Sequence, residues 1–207
     1  MNELLLIRHG DAEHLRSGFV GGWTDTRLTD QGRRQAHCTG ERLSQLLANR
    51  TVRMYGSDLS RASETAGIIG RYLAVQPILT AELRESNNGQ AANLSKEEAA
   101  RIGLPVTEPI IDWVPYPEAE SWRMLHRRTS AFLRRIKEEP NDATVIVSHS
   151  NAIVSLIQGW LGFPAELFSV SFDIEPCSIT RLRTNGWHEP TLAKLNDTSH
   201  LEHAGNF

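Results

Sequence analysis

Glu3-Leu4-Leu5-Leu6-Ile7-Arg8-His9-Gly10 carries four apolar side chains without alternation into an arginine, a histidine and a glycine. A strand with one wet face would alternate; an unbroken apolar run is what a strand covered on both faces requires. A second run of this kind, Ala143 to Val147 (ATVIV), ends on Ser148-His149-Ser150. Outward from these two, Val52 to Tyr55 reads as a short strand closed by Gly56-Ser57-Asp58, and Pro77 to Thr80 as another. Helical spacing fills the gaps. A helix capped at Thr29 or Asp30 carries Ala36, Cys38, Leu43, Leu46 and Leu47 and ends near Asn49. Ser60 to Leu73 repeats Ala62, Ala66 and Ile69 on one face, and Ser95 to Ile102 opens with a capping box, Ser95 with Glu98. The longest helix, Glu120 to Glu139, turns Trp122, Leu125, Thr129, Phe132, Leu133 and Ile136 inward, and Ala152 to Leu161 stops at Gly162. Ser178 to Arg183 and Thr191 to Leu195 flank an Asn185-Gly186 turn as an antiparallel pair. Strands alternating with helices predict a three-layer α/β/α fold with a mostly parallel central sheet and an antiparallel edge. No repeat, low-complexity tract or composition break divides the 207 residues, so the expectation is one domain over 1–207 with a polar C-terminal tail from about 197.

Composition narrows the function by exclusion. Apolar residues make up 40% and charged residues 23%, ordinary values for a globular chain. The 22 basic against 25 acidic residues leave a net charge of −3, without the basic excess that nucleic-acid binding calls for. Cys38 and Cys177 are too few for a disulfide framework. Leu4 to Ile7 is too short for a signal-peptide core, and no stretch approaches a membrane span. The expectation is a cytoplasmic protein with no nucleic-acid or membrane partner.

Ligands of open parallel sheets bind outside the carboxyl ends of the strands. Arg8-His9-Gly10, Ser57 to Arg61 and Ser148-His149-Ser150 all fall at such ends. An arginine fork suits a phosphate or carboxylate, and a histidine among arginines can serve as base, nucleophile or charge donor. Neither a Walker loop nor a G-x-G-x-x-G segment is present. Taken singly, Arg61 reads as a solvated first-turn residue and Glu85 as a surface carboxylate; two histidines at equivalent strand ends give them a shared context.

Four segments in order resemble the histidine phosphatase superfamily, the phosphoglycerate mutase-like branch 1. They are Leu6-Ile7-Arg8-His9-Gly10 with Leu28-Thr29-x-x-Gly32-x-x-Gln35-Ala36, Ser57-Asp58-Leu59-Ser60-Arg61-Ala62-x-x-Thr65-Ala66, Leu83-Arg84-Glu85-x-x-x-Gly89, and Val147-Ser148-His149. The resemblance implies that His9 takes the phosphoryl group as a phosphohistidine, that Arg8, Arg61 and a cationic His149 clamp it, and that Glu85 is the general acid and base. Asp11 is the competing carboxylate; Ser150, where a separate branch has its acid, favours Glu85. The resemblance requires no metal and no cofactor, and it allows a homodimer through the sheet edge. Departures are Ser150 in place of glycine after the second histidine, Leu15 in place of an asparagine six residues after the nucleophile, and Asp11-Ala12-Glu13 after the Arg-His-Gly triplet.

The activity expected is hydrolysis of a small phosphomonoester. The alternative is a cofactor-dependent phosphoglycerate mutase, which Gly22-Trp23-x-Asp25, Asn151 and Leu94-Ser95-Lys96 resemble. Gly22, Trp23, Ser150 and Asn151 are therefore candidate substrate contacts beside Arg8, Arg61 and His149. Against the mutase, the span from Glu85 to His149 is short for the insertion that carries its arginine pair, and Ser86 and Asn88 replace the residues that follow its acid. A further alternative is a catalytically weak phospho-ligand-binding regulatory module. Three other features carry bland expectations. Arg123, Arg127, Arg128, Arg134 and Arg135 read as a solvated helix face balanced by Glu118, Glu120, Glu138 and Glu139. His200 and His203 read as surface residues of the tail, and Trp113, Tyr116 and Trp122 as core packing, in a region that in this superfamily lies over the site and often contacts the leaving group. His14 and His126, like Trp23, could line the pocket, and no role is assigned to them.

Overall fold

A computed structural model describes residues 3–202. Its strands are β1 (Glu3–Arg8), β2 (Val52–Ser57), β3 (Ile78–Thr80), β4 (Ala143–Ser148), β5 (Ile179–Thr184) and β6 (Pro190–Asp197). They form one sheet in the order β3-β2-β4-β1-β5-β6. The first four strands of that order run parallel; β5 and β6 are antiparallel additions at the β1 side. The helices are α1 (Asp30–Leu46), α2 (Ser60–Leu73), α3 (Lys96–Arg101), α4 (Trp122–Lys137) and α5 (Ser150–Leu161). The expected α/β architecture with an antiparallel edge is the one observed.

The pleat of β1 explains the three layers. Leu4 and Leu6 pack into a cluster with Phe132, Leu133 and Ile136 of α4 and Ile153 and Ile157 of α5. Leu5 and Ile7, pointing the other way, pack with Leu43 of α1 and Ala62, Ala66 and Ile69 of α2. Each face of the strand therefore needs an apolar partner, and the absence of alternation in ELLLIR is the record of that need. Trp122, expected in the core, is only partly buried against it.

Helix boundaries follow their caps. Thr29 accepts from the Gly32 N–H and starts α1, and Ser95 and Glu98 form the full capping box of α3. Helix α5 begins two residues earlier than its apolar periodicity indicates, at Ser150, with His149 as N-cap and no side-chain cap of its own. The C-terminal region also departs from expectation. Residues 199–201 form a 3-10 turn that folds back on α1; the His200 ring hydrogen-bonds Thr39, and Leu201 packs beside Cys177 and Ala36. His200 is thus not a surface residue, and His203 lies outside the described residues. Cys38 and Cys177 are free thiols. Among the described residues no helix is long and apolar enough to cross a membrane.

The loop after β1 is set by a close backbone crossing. A Cβ on Gly10 would stand 2.4 Å from the Gly32 carbonyl oxygen, and one on Gly32 would stand 2.0 Å from the Asp11 carbonyl oxygen. Helix propensity alone favours alanine at position 32 by about 1 kcal/mol. The backbone contact outweighs it, because neither partner atom belongs to a flexible side chain. Gly32→Ala is expected to destabilise the fold by about 1–3 kcal/mol, read as a lower urea midpoint at unchanged m-value.

Candidate active site

The register of β1 on β4 builds the centre of the site. Arg8 pairs with Ser148, and the His9 N–H donates to the Ser148 carbonyl at 2.9 Å. The residues that follow each strand, His9 and His149, are thereby brought edge to face with ring centroids 5.0 Å apart. Both rings are buried.

The orientation of His9 is determined by its backbone. Its Nδ1–H donates to the Gly10 carbonyl at 2.7 Å, since a carbonyl oxygen can only accept. The lone pair therefore sits on Nε2, where the Arg61 Nε–H donates to it at 3.2 Å. Burial, reinforced by the Arg61 and Arg8 charges, holds His9 well below the ordinary imidazole range, which leaves it neutral at pH 7. Arg61 is itself immobilised: its two terminal nitrogens donate to the Thr24 and Gly22 carbonyls, both at 2.8 Å. Burial pushes its pKa down to about 10. Gly22 is required there twice over, by its φ of +61° and by Asn88, whose side chain a Cβ would meet at 2.6 Å. Arg8 donates to the Ile174 carbonyl at 2.6 Å, while its Nε has no partner among the described residues.

His149 differs from its expected charge state. Its Nε2 hydrogen-bonds Ser57 Oγ at 2.8 Å, and its buried Nδ1 has no partner among the described residues. Burial first, then the charges of His9 and Arg61, push it well below the usual imidazole value, so it is neutral here rather than cationic. An arginine-rich, dehydrated floor cannot hold a further proton without an anion beside it.

Glu85 is the most heavily held carboxylate of the site. Its oxygens accept from the N–H groups of Ser86 (2.8 Å), Asn151 (3.1 Å) and Ala152 (3.2 Å). The last two are orphan donors of the first turn of α5, so Glu85 does the work of the missing N-cap side chain. Its backbone carbonyl accepts from the Trp23 indole at 2.8 Å and from Arg128 at 3.2 Å. Asp11, the competing carboxylate, is occupied elsewhere: it accepts from Thr29 Oγ1 at 2.6 Å and pairs with Arg16 at 2.9 Å.

These groups open onto one cavity of about 400 Å³, lined by Arg8, His9, Arg61, Glu85, Gly22 and Asn151 among the candidates. His149, Trp23 and Ser150 are not among its lining residues. His149 supports His9 from below the surface, Trp23 braces the Glu85 backbone, and Ser150 opens α5. Two residues enter that sequence reasoning left unassigned or misplaced. His14 lines the cavity with its ring 5.6 Å from that of His9, on a short turn no motif marks. Arg128 is not on a solvated face: it pairs with Glu120 at 2.8 Å and donates to the carbonyls of Glu82, Arg84 and Glu85. Its place inward could have been suspected from Glu120 eight residues earlier, but not distinguished from its arginine neighbours. Leu15 lines the cavity where the superfamily pattern has asparagine. His126 instead packs on Phe168 with centroids 4.1 Å apart. Among the described residues, no cluster of three or more His, Cys, Asp or Glu side chains could hold a metal ion.

Burial and the Arg61 and Arg8 charges lower the pKa of His14 to about 4. Between that value and the unfolded one near 6.5, the unfolded chain binds a proton that the folded chain refuses. Stability from His14 is therefore full above about pH 6.5 and lost as pH falls towards 4. The expected outcome is a His14 ring-proton titration in NMR centred near 4, with the deficit in stability below pH 6.5 reduced in His14→Gln.

Residues 4–198 match the family model described as the histidine phosphatase superfamily (branch 1). A probable phosphoglycerate mutase GpmB of Erwinia tasmaniensis is 29% identical over 214 residues, covering 98% of this chain and 96% of that protein. Among solved structures, Bacillus stearothermophilus YhfR superposes with a TM-score of 0.79 at 25% identity, covering 98% of this chain and all of that one. The mycobacterial glucosyl-3-phosphoglycerate phosphatase complexed with VO3 superposes with a TM-score of 0.81 at 21% identity, over 96% of this chain and all of that one, a likeness of fold. With the motifs matched in order over nearly the whole described chain, the protein belongs to branch 1 of the histidine phosphatase superfamily.

Proposed function

We propose that the chain is a phosphomonoesterase that hydrolyses a small phosphorylated metabolite through a phosphohistidine on His9. The observation that carries this is the His9 ring itself: neutral, with Nδ1–H tied to Gly10 and the Nε2 lone pair facing Arg61 in the cavity. Nε2 attacks phosphorus as the phosphorus–oxygen bond to the alcohol breaks, and Glu85, which enters this step as the carboxylic acid, gives its proton to the departing oxygen. Water then attacks phosphorus, the nitrogen–phosphorus bond breaks, and the water proton returns to Glu85. Arg8 and Arg61 stabilise the non-bridging oxygens throughout, and both line the cavity together with Glu85. Their positions are prepaid by the carbonyl contacts of Ile174, Thr24 and Gly22, so little reorganisation accompanies reaction. Arg128 and Trp23 act on Glu85 through its backbone and are positioning residues. None of these steps needs a metal ion.

Mutase activity is the second reading, favoured by Lys96, which lines the same cavity and could hold a carboxylate. Arg8, Arg61 and Lys96 are the cations of that lining, and Arg8 and Arg61 are committed to the phosphate. That leaves a single exposed lysine for a glycerate carboxylate, where the mutase pattern places an arginine pair. Hydrolysis is the better supported outcome.

A phosphomonoester labelled with ³²P is expected to leave an acid-labile, base-stable phosphoenzyme that His9→Ala lacks and that forms equally in EDTA. Labelling that persists in His9→Ala would sink the nucleophile assignment. Glu85→Gln is expected to lower kcat about 10²- to 10⁴-fold on alkyl phosphates and far less on p-nitrophenyl phosphate, whose leaving group needs no proton. With 3-phosphoglycerate and catalytic 2,3-bisphosphoglycerate, phosphate release is expected to exceed isomerisation; the reverse would establish the mutase.

A further inference from the structure

Beside the catalytic cavity lies a second one of about 430 Å³ that the steps above do not use. The two share Ser86, Pro115 and Asn151, so the second begins where the first ends, next to the Glu85 oxygens that Ser86 and Asn151 hold. Its walls are hydrocarbon: Ile110, Ile111, Trp113, Trp122 and Phe168. They come from three separated segments, the loop before α4, the first turn of α4, and the turn after α5.

The polar atoms of these walls are already engaged within the protein. The Trp113 indole N–H donates to the Leu104 carbonyl at 3.2 Å, and that of Trp122 to Gln158 Oε1 at 3.3 Å. Glu120, which also borders the trough, is neutralised by Arg128 and accepts from the Asn87 N–H. What the trough offers a ligand is therefore apolar surface, with polar groups at the junction with the catalytic cavity and at Ser169. Among the described residues, no lysine or arginine lines it. The loop that forms its outer wall is pinned at both ends of its turn: Leu104 N–H donates to the Pro115 carbonyl, and Asp112 pairs with Arg123 of α4 at 2.6 Å. A wall held in this way is prepared for a ligand rather than collapsed onto itself.

We propose that the apolar lining of this trough selects the substrate, a phosphomonoester whose alcohol bears an aromatic or branched apolar group. This rests on the phosphatase reading above and narrows its substrate class. The geometry supplies a direction. With phosphorus between His9 and the arginines and the bridging oxygen at Glu85, the alcohol carbon skeleton departs past Ser86 and Asn151, which is the entrance of the trough. A phosphoglycerate would carry its carboxylate into a space without a cation, at the cost of desolvating it. An apolar group exchanges water for indole and isoleucine surface.

The test compares two esters whose leaving alcohols are both primary, 2-phenylethyl phosphate and ethyl phosphate, by kcat/KM. Wild type is expected to prefer the phenylethyl ester by about 10- to 100-fold. Ile111→Asp and, separately, Ile110→Asp are expected to lower that ratio about tenfold or more, a quantity that general damage to the fold leaves unchanged because both esters share it. Turnover of both esters with no preference, or a preference that survives both substitutions, would overturn the proposal while leaving the phosphatase reading intact. Failure to turn over either ester, with no phosphoenzyme formed, would overturn both.

Discussion

The pairing of Arg8 on Ser148 is the interaction on which the site depends. Strands β1 and β4 are distant in sequence and adjacent in the sheet, and their parallel register ends both at the same level. Two histidines that follow the two strands must then meet. A slip of one residue would turn Leu4 and Leu6 to the wrong cluster and separate His9 from His149 at the same time. Core and site are thus held by the same constraint: the apolar residues that fill both faces of β1 are what prevent the slip.

Around that point the molecule spends its backbone carbonyls on cations and its backbone N–H groups on an anion. Gly22, Thr24 and Ile174 carbonyls take the buried Arg61 and the partly buried Arg8, and the first turn of α5 takes Glu85. Without these contacts the arginines would not remain charged in so dehydrated a place. The same dehydration keeps His9 and His149 neutral. A neutral nucleophile whose lone pair faces fixed positive charge is the combination that burial and these carbonyl contacts produce together.

How much of this could be read beforehand varies with the range of the interaction. The strand at Glu3–Arg8, the span of α2, and the caps at Thr29 and Ser95 depend on neighbours in sequence, and they were legible. The start of α5 was not, because its cap is Glu85, a carboxylate more than sixty residues away. Arg128 could not be told from Arg127 by composition or spacing; what separates them is that one faces the carbonyls of residues 82, 84 and 85. His14 and the turn at residues 199–201 were misjudged or left open for the same reason. The charge state of His149 was also out of reach: the resemblance implied a cation, and burial with the nearby Arg61 charge disfavours one.

By itself, then, the sequence determined the α/β class, the ends of strands at which chemistry could gather, and, through four motifs in order, a phosphoryl-transfer family. The class and the strand ends follow from periodicity and local caps, which a short window contains; the family follows from the resemblance of the motifs. Tertiary structure alone decided which carboxylate faces the cavity, that Trp23 and Arg128 brace it through its carbonyl, and that an apolar trough built from three separated segments adjoins it. Directions of side chains from distant segments are set by packing, and a trough exists only where such segments leave a space between them.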